Sequence, residues 1–301
     1  MKPKALVLLS GGLDSRLAVK LLQQQLGKNV SAVYIKLPFG TRYSKNFESL
    51  KEFCKKEKVS LYVIDCTKGR LLQDYLKIVR NPKYKRGSAL NPCIDCHIFM
   101  LKLAKKLAKK IGADVIATGE VLGQRPMSQH RSALDLIEKE AGLRGRLLRP
   151  LSAKLLPQTI AEKEGWIKRN KLCGIRGRSR QKQLELAKKF KISFPSPGGG
   201  CLLCEKEFCK KVGPLLKKLS ELDIELLKIG RHFKKSAIVL GKNHEENLKL
   251  KQIHDRFRKG FLLEPKEPGP SAFVKSKVHI SEAKRLIQKY SKHKIRTITI
   301  K

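Results

Sequence analysis

Residues 10–15 read Ser-Gly-Gly-Leu-Asp-Ser and follow directly on the apolar run Ala5-Leu6-Val7-Leu8-Leu9. A buried strand that breaks into two glycines, an aspartate and a serine before entering a helix makes a cradle for phosphate. Gly11 and Gly12 let the backbone approach an anion and take φ values that a Cβ forbids. Ser10, Ser15 and the free N–H groups at the start of the following helix would face that anion. Asp14 would repel a bare phosphate, so its presence points to a bridging Mg²⁺. The stretch has neither the Gly-Lys-Ser/Thr of a Walker A loop nor the Gly-x-Gly-x-x-Gly of a dinucleotide fingerprint.

The second chemical signal is a doubled cysteine pair. Asn91-Pro92-Cys93-Ile94-Asp95-Cys96-His97 precedes an amphipathic stretch in which Leu101, Leu103, Ala104, Leu107, Ala108 and Ile111 form an apolar face. Asn91 is a good N-cap and Pro92 a good first helical residue. Cys93 then falls in the first turn, where the helix dipole and free N–H groups favour a thiolate. Cys-x-x-Cys at a helix start reads as a redox pair, as half of a zinc site, or as ligands of an iron–sulfur cluster. Cys201 and Cys204 repeat the spacing far downstream, behind the breaker run Pro195–Gly200. Together Cys93, Cys96, Cys201 and Cys204 could form a four-thiolate site. Cys173 and Cys209 are spare candidates, whereas Cys54 and Cys66 lie in apolar contexts and read as core fillers.

The Ser10–Ser15 segment resembles the SGGxDS loop of the PP-loop ATP pyrophosphatases. That resemblance implies a loop that holds the pyrophosphate end of ATP while the α-phosphate passes to a substrate oxygen. The Asn-Pro-Cys-x-x-Cys run is similar to the tRNA-thiolating branch of that family. In its tRNA 2-thiouridylases the first cysteine of the motif and a much later one form the catalytic pair, and these match Cys93 and Cys201. The run Thr118-Gly119-Glu120-x-Leu122-Gly123-Gln124, with Ser128-Gln129 beyond, resembles the tRNA 4-thiouridine synthases. The doubled Cys-x-x-Cys is also similar to the cluster-dependent thiolases, in which three cysteines hold a [4Fe-4S] cluster and one iron stays open for sulfide.

The resemblance implies an ATP-dependent tRNA sulfurtransferase. ATP would bind on Ser10, Gly11, Gly12, Asp14, Ser15, Gly119 and Gln124. Mg²⁺ would sit near Asp14, which is counted with Cys93 and Cys201 as catalytic. Cys93, Cys96, Cys201 and Cys204 would hold a [4Fe-4S] cluster, with zinc as the alternative metal. Gln124 and Arg125 are candidates for nucleotide or base contacts, and Glu120 for Mg²⁺ or a loop cap. The implied partners are tRNA and a sulfur donor, either sulfide or a persulfide-carrying protein; a homodimer is compatible with them. Two competing readings stay open. One is a PP-loop ligase or amidating enzyme with a structural zinc site, the other a non-catalytic RNA-binding protein.

These residues need a scaffold, and the first half of the chain supplies the pattern for one. Strand-like runs at Ala5–Ser10, Val30–Lys36, Ser60–Asp65 and Asp114–Thr118 alternate with helix-like segments near Leu13–Gln25, Ser44–Glu57, Leu71–Arg80 and Ile94–Ile111. That order predicts an α/β fold, a parallel sheet covered by helices, and the resemblance implies a PP-loop domain of HUP-like, adenine nucleotide alpha hydrolase-like type. Ligands on such sheets gather at the carboxyl ends of the strands. A helix is expected near Pro157–Glu164. The basic stretch Lys168–Lys182, with Arg176, Arg178 and Arg180 around Gly177, reads equally as a phosphate-touching loop or a solvated one. The expected organisation is a catalytic domain over 1–165, a basic and cysteine-containing extension over 166–215, and a smaller C-terminal α+β domain over 216–301. Strands at Ala237–Leu240, Ala272–Lys275 and Thr297–Ile300 and helices at Glu245–Gln252 and Ser281–Tyr290 outline that last domain. Its Gly230-Arg231-His232-Phe233, Gly241-Lys242-Asn243 and Gly269-Pro270-Ser271 resemble a small RNA-binding domain of ribosome-associated proteins.

Composition narrows the partners. The 301 residues carry 67 Lys+Arg against 26 Asp+Glu, a formal charge of +41 that far exceeds what solubility needs. Such an excess points to a polyanion, with nucleic acid first. No apolar run reaches the roughly 18 residues of a membrane span, and the N-terminal residues show no cleavable signal pattern, so a cytoplasmic enzyme is expected.

Overall fold

The computed structural model describes residues 3–40, 43–84, 87, 89–195 and 200–301, and the side chains of 43–46 are left aside. Most of the breaker run, residues 196–199, lies outside the described residues. The chain forms two compact units, Met1–Cys204 and Glu205–Lys301. The division falls after Cys204 rather than between residues 215 and 216. Residues 166–204 complete the first unit, whereas the helix over Lys206–Val212 packs with the helix that follows it, Glu221–Leu227.

The first unit is a parallel sheet. Its strands are β1 (Ala5–Leu8), β2 (Val30–Lys36), β3 (Ser60–Asp65), β4 (Val115–Thr118) and β5 (Leu147–Leu148), in the order β3-β2-β1-β4-β5. Strand β1 is central and apolar throughout because both of its faces are covered. Ala5, Val7 and Leu9 point into one core, and Leu6 into the other. The first core is built with α1 (Leu13–Leu26), α2 (Tyr43–Lys56) and α7 (Gln181–Lys189). The second is built with α4 (Cys93–Ile111) and α5 (Arg131–Ala141). Helix α3 (Gly69–Arg80) buries Leu72, Tyr75, Leu76 and Val79. The short α6 (Ile160–Lys163) begins at a capping box between Thr159 and Glu162, later than the expected start near Pro157. Helices α5 and α7 and the two-residue β5 have no counterpart in the sequence reading.

The strand order reverses between β1 and β4, and that reversal is where a doubly wound sheet opens a crevice at its carboxyl edge. Ser10–Ser15 leaves β1 there, and Gly119–Gln124 leaves β4 beside it, with Leu8 paired to Thr118 in register.

The second unit is an antiparallel sheet of β6 (Arg231–Phe233), β7 (Ile238–Leu240), β8 (Phe261–Pro265), β9 (Ala272–Val274) and β10 (Ile298–Ile300), in the order β10-β8-β9-β7-β6. Strand alternation sends Val239, Leu262 and Phe273 toward α9 (Glu221–Leu227) and α10 (His244–Phe257). It sends Ile238, Leu240, Leu263, Ala272 and Val274 toward α11 (Ile280–Tyr290). Helix α8 (Lys206–Val212) opens this unit, and β6 and β8 are additions to the expected strands.

Candidate active site

Gly11 adopts φ +84°, the left-handed region open to glycine, and Gly12 is the extended residue before α1. No side chain caps α1. Ser15 Oγ donates to the Gly12 carbonyl at 2.9 Å and lies 3.2 Å from Ser10 Oγ, so both hydroxyls are held at the loop. Gly119 presses on the same turn. A Cβ there would stand 2.5 Å from the Ser15 nitrogen and 2.6 Å from the Asp14 carbonyl carbon. Its lack of a side chain is what lets the end of β4 meet the start of α1.

Arg16, which the sequence reading passed over, is fully buried beneath this loop. Its Nε donates to the Gly11 carbonyl at 2.9 Å, Nη1 to Ser193 O at 2.8 Å and Nη2 to Ser49 Oγ at 2.9 Å. The Phe53 ring lies 5.0 Å from its guanidinium. Burial lowers its pKa, opposed by Cys54 and Glu52. The signal in the sequence was an arginine within the stripe Leu13, Leu17, Leu21, where an apolar residue is the rule.

Asp14 Oδ2 accepts 2.7 Å from Gln124 Nε2 and lies 3.8 Å from Arg180 Nη2. Its Oδ1 is buried without a hydrogen-bond partner. A carboxylate oxygen of this kind is the hard donor that Mg²⁺ takes. Gly177, within the basic stretch, donates its N–H to Leu122 O at 2.7 Å, which docks that stretch against the segment leading to Gln124. Arg176 and Arg178 on the same loop are exposed.

The two cysteine pairs meet. Asn91 N–H donates to Leu203 O at 3.1 Å, Leu202 N–H to Phe39 O at 3.1 Å, and Gly40 bridges Cys201. These backbone bonds carry the second pair to the first, and Cys93 Sγ stands 3.6 Å from Cys204 Sγ. Cys93 lies in the first turn of α4, as expected, but it is the first helical residue and the cap position is Pro92 rather than Asn91, which has φ +39° and is turned out of the helix. The three sulfurs of Cys93, Cys201 and Cys204 interact: hydrogen bonding with Cys201 and Cys93 lowers the Cys204 thiol to about 3 against its burial, with Arg125 adding its charge. Donation to Cys204, then burial, raises Cys93 and Cys201. The pull of the helix start on Cys93 is opposed by the neighbouring sulfur and by burial, and the lowered thiol, Cys204, is the most exposed of the three. Cys96 is pushed up to about 11 by burial and lies 3.6 Å from Tyr75 Oη.

Thiolates are the donors of zinc and iron–sulfur sites, so the chemistry of this set fits either group. Among the described residues, no three His, Cys, Asp or Glu side chains stand in the arrangement of a metal site. Cys173 packs against the first core and Cys209 belongs to the second unit. Cys54 and Cys66 are buried, as expected of core residues, and burial raises them to about 11 and about 12.

Glu120 is committed elsewhere. Its carboxylate accepts 2.9 Å bonds from Arg149 Nε and Thr118 Oγ1 and lies 2.8 Å from His97 Nδ1. Burial alone would raise its pKa, but the charges of Arg149 and His97 hold it far below the usual carboxylate range. Arg149 also pairs with Glu138. This buried chain ties the Cys-x-x-Cys-His helix to the end of β4. It leaves Glu120 engaged as a structural anchor rather than pointing at the phosphate loop.

A parallel sheet with a Ser-Gly-Gly-x-Asp-Ser cradle at its switch point defines a PP-loop nucleotide-binding domain. The chain belongs to the ThiI family: the profile described as "ThiI: Thiamine biosynthesis protein (ThiI)" matches residues 1–156. It is similar to a tRNA-specific 2-thiouridylase MnmA from a Nitratiruptor species, 33% identical over 122 residues, which are 40% of this chain and 35% of that one. It is also similar to a "Probable tRNA sulfurtransferase" of Finegoldia magna, 31% identical over 153 residues, covering 50% of this chain and 36% of that one. The chain thus spans little more than a third of the length of these relatives. Among solved structures it matches the U34-tRNA thiolase NcsA from Methanococcus maripaludis with its [4Fe-4S] cluster, at 17% identity and TM-score 0.40, over 75% of this chain and 73% of that one. No helix among the described residues is long and apolar enough to cross a membrane.

Proposed function

We propose that this chain thiolates tRNA at the expense of ATP. The observation that carries the reading is a pair of consecutive residues. Gln124 reaches the Asp14 carboxylate of the phosphate loop, and the charge of its neighbour Arg125 acts on the Cys93 and Cys204 thiols. The nucleotide loop and the sulfur chemistry thus share one edge of one sheet.

Ser10, Gly11, Gly12 and Ser15 would hold the phosphates, and Asp14 would hold Mg²⁺. A uridine carbonyl oxygen attacks the α-phosphorus, and the bond to pyrophosphate breaks. Hydrosulfide then attacks the activated carbon; the carbon–oxygen bond breaks, AMP leaves with the oxygen, and one proton is released. Arg125 adds its charge to the hydrogen bonds from Cys201 and Cys93 that lower the Cys204 thiol, and would hold the approaching sulfur near the activated carbon. Three thiolates from the set Cys93, Cys96, Cys201 and Cys204 would hold a [4Fe-4S] cluster, which would supply bound hydrosulfide. The second unit would recruit the tRNA. Arg231, Lys242, Lys251, Lys266 and Lys292 line a cavity of about 740 Å³ in it, with Tyr290 on its wall. Cations around an aromatic ring suit RNA phosphates and bases.

The test is anaerobic incubation of the purified chain with tRNA, ATP and sulfide. Thiouridine in the digested tRNA, with AMP formed only when tRNA is present, supports the proposal, as does loss of both products in Gly12→Asp. Full thiolation by both Cys93→Ala and Cys201→Ala sinks the cysteine assignment. One equivalent of zinc with no iron, and no thiouridine, would favour the ligase reading.

A further inference from the structure

The family match ends at residue 156, yet two polar groups gathered about Asp14 and its partner Gln124 come from α7 and the turn before it. Gln183 is fully buried on that helix. It occupies the stripe shared with Leu186, Ala187 and Phe190, where an apolar side chain would pack at no cost. Its Nε2 donates 3.0 Å to Gln124 Oε1, and Gln124 Nε2 donates 2.7 Å to Asp14 Oδ2. The direction of this relay is fixed by Asp14. A carboxylate only accepts, so Gln124 must turn its amide N–H toward it and its carbonyl toward Gln183. Arg180, one residue before α7, brings Nη2 to 3.8 Å from the same carboxylate oxygen.

Among the described residues, three buried atoms here lack a hydrogen-bond partner: Asp14 Oδ1, Gln183 Oε1 and Arg180 Nε. Buried polar atoms are rarely left so, because each has lost its water without gaining a partner in return. A cluster of them beside a phosphate cradle marks where a polar ligand completes the set.

We propose that the Arg180–Gln183 turn belongs to the nucleotide site. Arg180 is a ligand of the triphosphate. Gln183 is a positioning residue that acts through Gln124 to aim Asp14. The proposal rests on the reading of Ser10–Ser15 as an ATP loop and assigns the extension beyond the family match a direct part in binding. A guanidinium presents several donors in one plane, which suits the oxygens of a phosphate chain.

The experiment is calorimetric titration of the full chain with a non-hydrolysable ATP analogue and with adenosine. Arg180→Gln should weaken the analogue at least tenfold and leave adenosine within twofold, since only the phosphates would feel its loss. Gln183→Leu should weaken the analogue several-fold with its melting temperature kept, because leucine suits the buried stripe. In the double variant Gln124→Leu/Gln183→Leu, loss of Gln183 should add nothing to loss of Gln124, the signature of groups acting in series. Analogue affinities of Arg180→Gln and Gln183→Leu within twofold of wild type overturn the proposal, and additive losses overturn the relay. If wild type binds no ATP analogue, the nucleotide reading itself falls with it. If Gln183→Leu does not fold, the partly exposed Arg180 decides the matter.

Discussion

Replacing Gly119 by alanine isolates the contact that joins the end of β4 to the phosphate loop. The added Cβ would stand 2.5 Å from Ser15 N, 2.6 Å from the Asp14 carbonyl carbon and 2.6 Å from Ser15 Cα. All three are backbone atoms, so no rotamer change relieves them. Ordinary contact begins near 3.4 Å, and the loop or the strand end must retreat by about 0.9 Å to reach it. The retreat is resisted on both sides, since β1 and β4 are paired in register up to Leu8 and Thr118. Overpacking of this kind costs about 1–3 kcal/mol, and displacing a positioned group by about 1 Å costs on the order of 100-fold in function. Gly119→Ala should therefore melt a few degrees lower than wild type, bind the ATP analogue at least tenfold more weakly, and lose more in turnover than in stability. Thermal melting, calorimetry and AMP release measure the three effects. An alanine variant that binds the analogue within twofold of wild type and melts at the same temperature would refute the reasoning.

Other perturbations probe the supporting structure. Arg149→Met strands the buried carboxylate of Glu120 and the half-buried one of Glu138, and a broken buried pair costs roughly 3–5 kcal/mol, so the first unit should lose much of its chemical-denaturation stability. Glu120 has its folded pKa depressed below the unfolded value of about 4.3, so its contribution is full above that pH and is lost as pH falls through and below it. Melting curves at stepwise lower pH should fall more steeply for wild type than for Glu120→Gln, and parallel curves would count against the anchor. Burial lowers His232 from 6.5 to about 4, against the bond from its Nε2–H to Ile229 O. The unfolded chain takes up that proton first, so the second unit should lose stability between pH 6.5 and 4, with a flatter profile in His232→Gln. Lys242→Glu with Lys292→Glu should weaken tRNA binding and shallow its salt dependence more than Lys188→Glu with Lys189→Glu on the first unit, as read by fluorescence anisotropy. Equal losses would remove the cavity of the second unit from the RNA interface.

The alternation of apolar runs made the parallel sheet legible, because each central strand must be apolar on both faces and each helix on one. The elements that escaped notice are those whose local pattern is weak. Strand β5 is two residues long, and α7 has Gln183 on its buried stripe and Leu184 exposed at 44%. Arg16 and Gln183 escaped for the same reason: a polar residue on an apolar face reads as noise until its partners are seen. Glu120 reads in the sequence as a Mg²⁺ or loop-cap candidate, since nothing nearby announces its partner Arg149.

By itself the sequence determined the parts whose chemistry is local. Six contiguous residues make the turn proposed to cradle phosphate, because glycine conformation and helix-start N–H groups depend only on neighbours. Cys-x-x-Cys spacing fixes each thiol pair, and an excess of 67 cations over 26 anions fixes the sign of the partner. The tertiary structure alone decided which thiol has its pKa lowered, where the first unit ends, and that Arg180 approaches Asp14 while Gln183 reaches Gln124. Those outcomes depend on desolvation and on groups more than a hundred residues apart, as Cys93 and Cys204 are, that only the folded sheet edge brings within 3.6 Å.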